Sequence, residues 1–190
     1  MPPKIKFTKD DVVRCAVDIV REQGAGALSA RNIAAALGCS PQPIFSCFDS
    51  MDGVREAVIK AAGEIYANYI DQELERGKYP PYKCSGMAYI RLAREERELF
   101  RLLFMRDRRG EVIPDDSEIE PIINIIMEAN GISRDQALLL HLEMWVCVHG
   151  IATMLATSYF DISEELASDM ITHVYNGVRR QIKEEKYERH

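Results

Sequence analysis

Within residues 29–48 (SARNIAAALGCSPQPIFSCF), hydrogen-bonding side chains stand at Ser29, Arg31, Ser40, Gln42 and Ser46. One is a cation, and none is paired with a base that would make it a nucleophile. Hydroxyl and guanidinium groups beside helix N-termini hold phosphate oxygens, because free N–H groups and the helix dipole favour an anion there. A glutamine amide can bond the N6 and N7 atoms of adenine. The chemistry on offer is therefore contact with a phosphate backbone and with base edges.

Catalytic and metal chemistry has no comparable footing. The chain has no H-E-x-x-H, no glycine-rich phosphate loop and no G-x-S-x-G elbow. Glu95-Glu96 and Asp115-Asp116 are adjacent acids with no histidine at ligand spacing, and read as solvated charge. His141, Trp145 and His149 recur every four residues on one helical face. The two histidines would stand about 12 Å apart along the axis, too far for one ion. Each reads better as a satisfied core histidine. The five cysteines (Cys15, Cys39, Cys47, Cys84, Cys147) form no C-x-x-C pair and are odd in number. Neither a zinc site nor a disulfide framework is indicated. Reduced, buried thiols are expected, with redox sensing at Cys39 and Cys47 as the lesser reading. No cofactor, no metal and no enzymatic activity are expected.

The elements that hold these side chains follow from local rules. Ser29 caps a helix whose inner face is Ile33, Ala34 and Leu37. Gly38 ends it in a left-handed conformation. Ser40 is expected to cap a second helix with Pro41 at its first position. The three-residue turn Gly38-Cys39-Ser40 has the spacing of a helix-turn-helix, whose second helix enters a DNA major groove. Ile44 and Phe48 then face inward, while Gln42 and Ser46, one turn apart, face outward. Upstream, Thr8 with Asp11 starts a helix bearing Val12, Val13, Ala16, Val17 and Val20, which Gly24 stops.

Size and charge are consistent with this reading. The chain has 190 residues, 47% of them hydrophobic, enough for a substantial core. Its net charge is −6, yet residues 1–50 hold six Lys or Arg against five Asp or Glu. The basic excess of this first segment is therefore small, and the body is strongly acidic, which favours specific over non-specific binding to nucleic acid. Lys4 and Lys6 are read either as an arm along the DNA groove or as a disordered tail. The longest apolar runs read as broken by charge short of membrane-spanning length, and no apolar leader follows Met1. A cytoplasmic protein with no membrane partner is expected.

The fold class expected is all-α. A three-helix head at 1–50 is followed by a larger helical body at 51–190. A helix over about 52–76 leaves the head, and Gly77-Lys78-Tyr79-Pro80-Pro81 ends it. Residues 83–95 and 98–105 form two helices or one bent helix. A charged loop at 106–117 precedes a helix over 118–129 that ends at Asn130-Gly131. Ser133 caps a helix over 135–158 that is apolar nearly all round, and such a helix is buried on several sides. The last helix carries a narrow stripe of Ala167, Ile171, Val174, Val178 and Ile182. These two helices are read as a four-helix interface with their symmetry mates, or else as an intramolecular bundle. Tyr89, Phe100, Phe104, Met105, Met127, Trp145 and His149 line either an apolar effector pocket or ordinary core.

The ensemble of Ser29, Ile33-Ala34, Gly38-Cys39-Ser40 and Ile44-Phe45-x-x-Phe48 resembles the N-terminal signature of the tetracycline-repressor (TetR) family. The likeness runs from about Phe7 to Val58. The segment AYIRLAREERELFRLLFM (88–105) resembles that family's ligand domain, and Trp145-x-x-x-His149-Gly150 resembles one of its subgroups. The resemblance implies a homodimer on a palindromic operator in double-stranded DNA, released by a small-molecule effector. It also implies a DNA contact at position 45, where the family usually has tyrosine and this chain has Phe45. Position 51 is usually lysine and is Met51 here, while Pro43 replaces a threonine-like residue. The lost hydroxyl and cation leave a second reading open: a ligand-binding helical dimer that has lost or weakened DNA binding.

Overall fold

The structure is a computed structural model, and it describes residues 7–107, 109 and 119–188. Lys4, Lys6 and most of the charged loop at 106–117 lie outside the described residues. Among those residues the architecture is α1 (Lys9–Gln23), a 3₁₀ turn (Ala25–Ala27), α2 (Ala30–Ala36), α3 (Gln42–Cys47), α4 (Met51–Arg76), α5 (Pro81–Glu95), α6 (Arg97–Phe104), α7 (Glu120–Asn130), α8 (Arg134–Ala156) and α9 (Glu164–Glu188). No strand occurs among them. The chain divides into two compact units. One holds residues up to Asn68 with Glu95–Arg106; the other holds Tyr69–Arg94 and the chain from Asp107 on.

The first unit is the head. Its first helix begins with a reciprocal cap: the Thr8 hydroxyl accepts the Asp11 N–H at 3.1 Å, and the Asp11 carboxylate accepts the Thr8 N–H at 2.9 Å. Ser29 caps α2 by accepting the Asn32 N–H at 3.2 Å. Gly38, at φ +64°, closes α2 with two bonds: its own N–H donates to Ala35 C=O and the Cys39 N–H donates to Ala34 C=O. That pairing needs a left-handed residue, which glycine supplies without a Cβ clash.

The cap expected at Ser40 does not form. Pro41 occupies the N-cap of α3 in a helical conformation, and no side chain caps the helix. The reason is Pro43. A capping Ser40 would look for the N–H groups of Gln42 and residue 43, and proline has none. The first bond of α3 is instead the backbone contact from Ile44 N–H to Pro41 C=O at 3.1 Å. Further on, Ser50 accepts the Gly53 N–H at 3.3 Å and starts α4.

The head core gathers Val12, Ala16, Val20, Ile33, Ala34, Ile44, Phe48, Val54, Val58 and Leu99, all buried. Leu99 comes from α6, so this unit draws on sequence well beyond residue 50. The Arg21 guanidinium ties α1 to the start of α6 through two bonds to the Glu96 carboxylate, at 3.0 and 2.9 Å. Between α5 and α6 the chain breaks at Glu96 (φ −122°, ψ 52°), giving two helices rather than one bent helix.

The second unit is built from the end of α4 with α5, α7, α8 and α9. Glu73 is buried and accepts from Arg76 at 2.7 Å and Arg91 at 3.0 Å. The Lys83 ammonium donates to Ser168 at 2.7 Å and Thr172 at 2.8 Å, joining α5 to α9. A Cβ added at Gly86 would lie 3.3 Å from Val148, so glycine sets how closely α5 approaches α8. Ser133 and Gln136 make the reciprocal cap of α8.

The apolar run of α8 is longer than the sequence reading allowed. Glu143 is its only Asp, Glu, Lys or Arg between Ala137 and Met154, and by length and composition it could cross a bilayer. It buries Ala137, Leu140, Met144, Val148, Ile151 and Leu155, and exposes Leu139, Leu142, Trp145 and Val146. On α9 the expected stripe is buried at Ala167, Ile171 and Ile182 and half-buried at Val174 and Val178.

The caps give a stability test. Ser29→Ala should cost about 1 kcal/mol, the usual worth of a serine N-cap. Ser40→Ala should cost almost nothing. Urea unfolding of both variants checks the contrast; equal losses would place a working cap at Ser40.

Candidate nucleic-acid interface

The six-residue α3 has two distinct faces. Ile44 is fully buried and Phe48 is 5% exposed, while Gln42, Phe45 and Ser46 are exposed, Phe45 at 49%. Gln42 presents an amide. The Ser46 hydroxyl donates back to Gln42 C=O at 3.1 Å, within its own helix. Arg31, in the first turn of α2, is exposed, and so is Ser40 in the turn. Ser29 is half-buried, its hydroxyl used by the cap. The residues read as DNA contacts on α2, the turn and α3 therefore share one structural module.

Lys9 is a cation that the sequence reading did not assign. Its ammonium lies 4.7 Å from the centre of the Phe48 ring, beside the end of α3. Its sequence position, just after the basic residues Lys4 and Lys6, was the available signal. Met51, at the lysine-like position, is half-buried against the head core.

A groove of about 810 Å³ lies between α1 and α2, walled by Asp11, Asp18 and Glu22 with Phe7, Cys15 and Leu37. No α3 residue borders it. The groove also carries the cation Arg14, paired with Asp11 at 3.5 Å, so its wall is acidic on balance. Two of the three half-buried head thiols donate hydrogen bonds: Cys15 to Ile33 C=O at 4.0 Å and Cys47 to Phe7 C=O at 3.6 Å. Burial pushes the Cys15 thiol up, which keeps it protonated and unreactive at neutral pH.

Residues 84–174 match the family model of the tetracyclin repressor-like C-terminal domain. Over these residues the chain is similar to the TetR family. It is 20% identical over 175 residues to an uncharacterised HTH-type transcriptional regulator, YobS, of Bacillus subtilis strain 168, with 90% of each chain covered. Its fold matches the crystal structure of a TetR-like transcriptional regulator from Rhodococcus sp. RHA1, at a TM-score of 0.66 and 15% identity. That match covers 92% of this chain and 96% of the other.

The residues read as effector lining fall into two groups. Phe100 and Phe104 belong to the first unit, where their rings stand 5.4 Å apart and Phe104 meets Tyr66 edge-on at 5.5 Å. Met105, in the same unit, is 41% exposed. Tyr89, Trp145 and His149 come together in the second unit. The buried Tyr89 hydroxyl lies 2.8 Å from His149 Nδ1, and the Trp145 ring lies 5.9 Å from the imidazole. Met127 is half-buried on α7. A second tyrosine–histidine contact runs parallel to the first, with the Tyr82 hydroxyl 3.1 Å from His141 Nδ1. Nearby, the Tyr175 hydroxyl donates to Asn130 at 2.9 Å. Both histidines are thus partnered by α5 tyrosines.

Burial lowers the His141 pKa below its ordinary 6.5. The unfolded chain therefore binds this proton more readily than the folded one. The stability that His141 contributes is complete above about pH 6.5 and is lost as pH falls below it. The melting temperature should fall between pH 7.5 and 5.5, and fall less in His141→Gln. Identical pH profiles for the two proteins would rule out this source.

Proposed function

We propose that this protein is a ligand-responsive transcriptional regulator of the TetR type, a repressor that binds a palindromic operator as a homodimer. The observation that carries the reading is the two-faced α3. Ile44 and Phe48 are spent on the core, which leaves Gln42, Phe45 and Ser46 for the DNA. In this reading Gln42 addresses a base edge. Ser29, Arg31, Ser40 and Lys9 contact the phosphate backbone, and Lys4 and Lys6 supply an arm.

The dimer forms through α8 and α9. Leu139, Leu142, Trp145, Val146, Leu166 and Met170 are exposed on one copy, an apolar surface that a second copy would cover. Gly150 leaves open space where a Cβ would stand, which permits close helix approach. Two heads then dock in successive major grooves, about 34–36 Å apart.

The effector is small and largely apolar. Tyr89, Met127, Trp145 and His149 of the second unit are its proposed contacts, and the Trp-x-x-x-His-Gly pattern belongs to this site. Effector binding acts on α4, whose residues contribute to both units, and it lowers affinity by preventing the two heads from docking together. The protein works in the cytoplasm, without a membrane partner.

Phe45 and Met51 support a second reading, in which the helical dimer binds its ligand but no longer binds DNA strongly. Selection from random duplexes separates the two. The regulator reading predicts enrichment of one palindrome. In that case Gln42→Ala should lose about 1–3 kcal/mol of discrimination at one position per half-site. Phe45→Tyr should tighten binding without changing the preferred sequence. Failure to enrich any site favours the second reading.

A further inference from the structure

Charge is segregated along α9 from Glu164 to Lys183. From Glu164 to Val178 the charged side chains are three acids, Glu164, Glu165 and Asp169; from Arg179 to Lys183 they are three cations, Arg179, Arg180 and Lys183, after which Glu184, Glu185, Lys186 and Glu188 mix the signs. Glu164 is already engaged, accepting from Lys78 at 2.8 Å and Tyr79 at 3.1 Å. Glu165, Asp169, Arg180 and Lys183 are all exposed and make no ion pair among the described residues. The Lys83 ammonium feels the charge of Asp169, but its hydrogen bonds go to Ser168 and Thr172. At about 100° per residue these four charges share one strip of the helix. That strip borders the exposed Leu166 and Met170 and lies away from the buried Ala167, Ile171 and Ile182.

We propose that α9 crosses α9 of a second copy antiparallel, about a twofold axis level with Val174. Glu165 and Asp169 of each copy then meet the partner's Lys183 and Arg180. This rests on the homodimer reading above and adds its register and its means of partner selection.

The spacing supports it. Glu165 and Lys183 each stand nine residues from Val174, while Asp169 and Arg180 stand five and six away. At about 1.5 Å per residue, both pairs match to within one residue's rise. Gly177, three residues past the axis, has no atom within 4 Å of where its Cβ would stand, and it lies within one residue's rise of the partner's Met170. A parallel crossing would instead set acid against acid. At the shallow crossing angle of a four-helix bundle, side chains of this length span the remaining gap.

The dipole of α9 itself accounts for acids in its first turn, but not for Arg180 and Lys183. They lie ahead of the last turn of a helix that ends at Glu188.

Charge reversal tests the register. One variant carries Glu165→Lys and Asp169→Lys; a second carries Arg180→Glu and Lys183→Glu. Each alone should dimerise about tenfold or more weakly than the unaltered protein at low salt, by sedimentation velocity. An equimolar mixture should form a one-to-one heterodimer with near-original affinity, which also demonstrates that both variants fold. Combining all four changes in one chain should restore the homodimer. The register is overturned if either variant dimerises normally, or if mixing them restores nothing. An unaltered protein that stays monomeric overturns the homodimer reading as well.

Discussion

The burial of Ile44 and Phe48 is the constraint on which the head depends. A helix of six residues has no stability of its own in water, because nucleation costs more than so few hydrogen bonds return. It persists because Ile44 and the C-cap residue Phe48 fill a core supplied by α1, α2, α4 and α6. The same burial sets its rotation. Once Ile44 and Phe48 point inward, Gln42, Phe45 and Ser46 have only solvent or a ligand to face. DNA recognition would then be a by-product of packing, with the core holding the reading face before any duplex arrives.

The second unit has the opposite character. Several of its polar groups are satisfied internally: Glu73 by two arginines, His141 and His149 by tyrosines, and Lys83 by two hydroxyls. What is left over is a set of exposed apolar side chains on α8 and α9, among them Leu139, Leu142, Trp145, Val146, Leu166 and Met170. The membrane-like length of α8 and the exposure of Leu142 and Val146 are two views of that excess. A second copy would remove it, and the charge pattern on α9 would decide in which register.

Much of the head was legible because its rules are local. A serine before a helix, a glycine after it and an alternation of inward and outward residues each depend on a few neighbours, and Ser29, Gly38, Ile44 and Phe48 behave accordingly. Ser40 shows the limit. The rule for its type was sound, but Pro43 had removed one of the N–H groups that the cap would have used. The non-local features were not legible. Nothing in the α6 segment announces that Leu99 joins Ile44 in one core. Periodicity marks an apolar face without naming what covers it. The tyrosine partners of His141 and His149 lie some 60 residues away in sequence, 59 and 60 respectively. The histidines could be read as satisfied, but their partners could not be named. The cation–π contact between Lys9 and Phe48 is likewise a product of tertiary folding.

Hydroxyl-radical footprinting of the protein, read by mass spectrometry, tests the central claim most directly. It compares two phenylalanines three residues apart, one outward and one inward. In the free protein Phe45 should be oxidised and Phe48 should not; adding the selected duplex should protect Phe45 and leave Phe48 unchanged. Equal oxidation of both in the free protein, or a Phe45 that stays as reactive with DNA bound, would contradict the account.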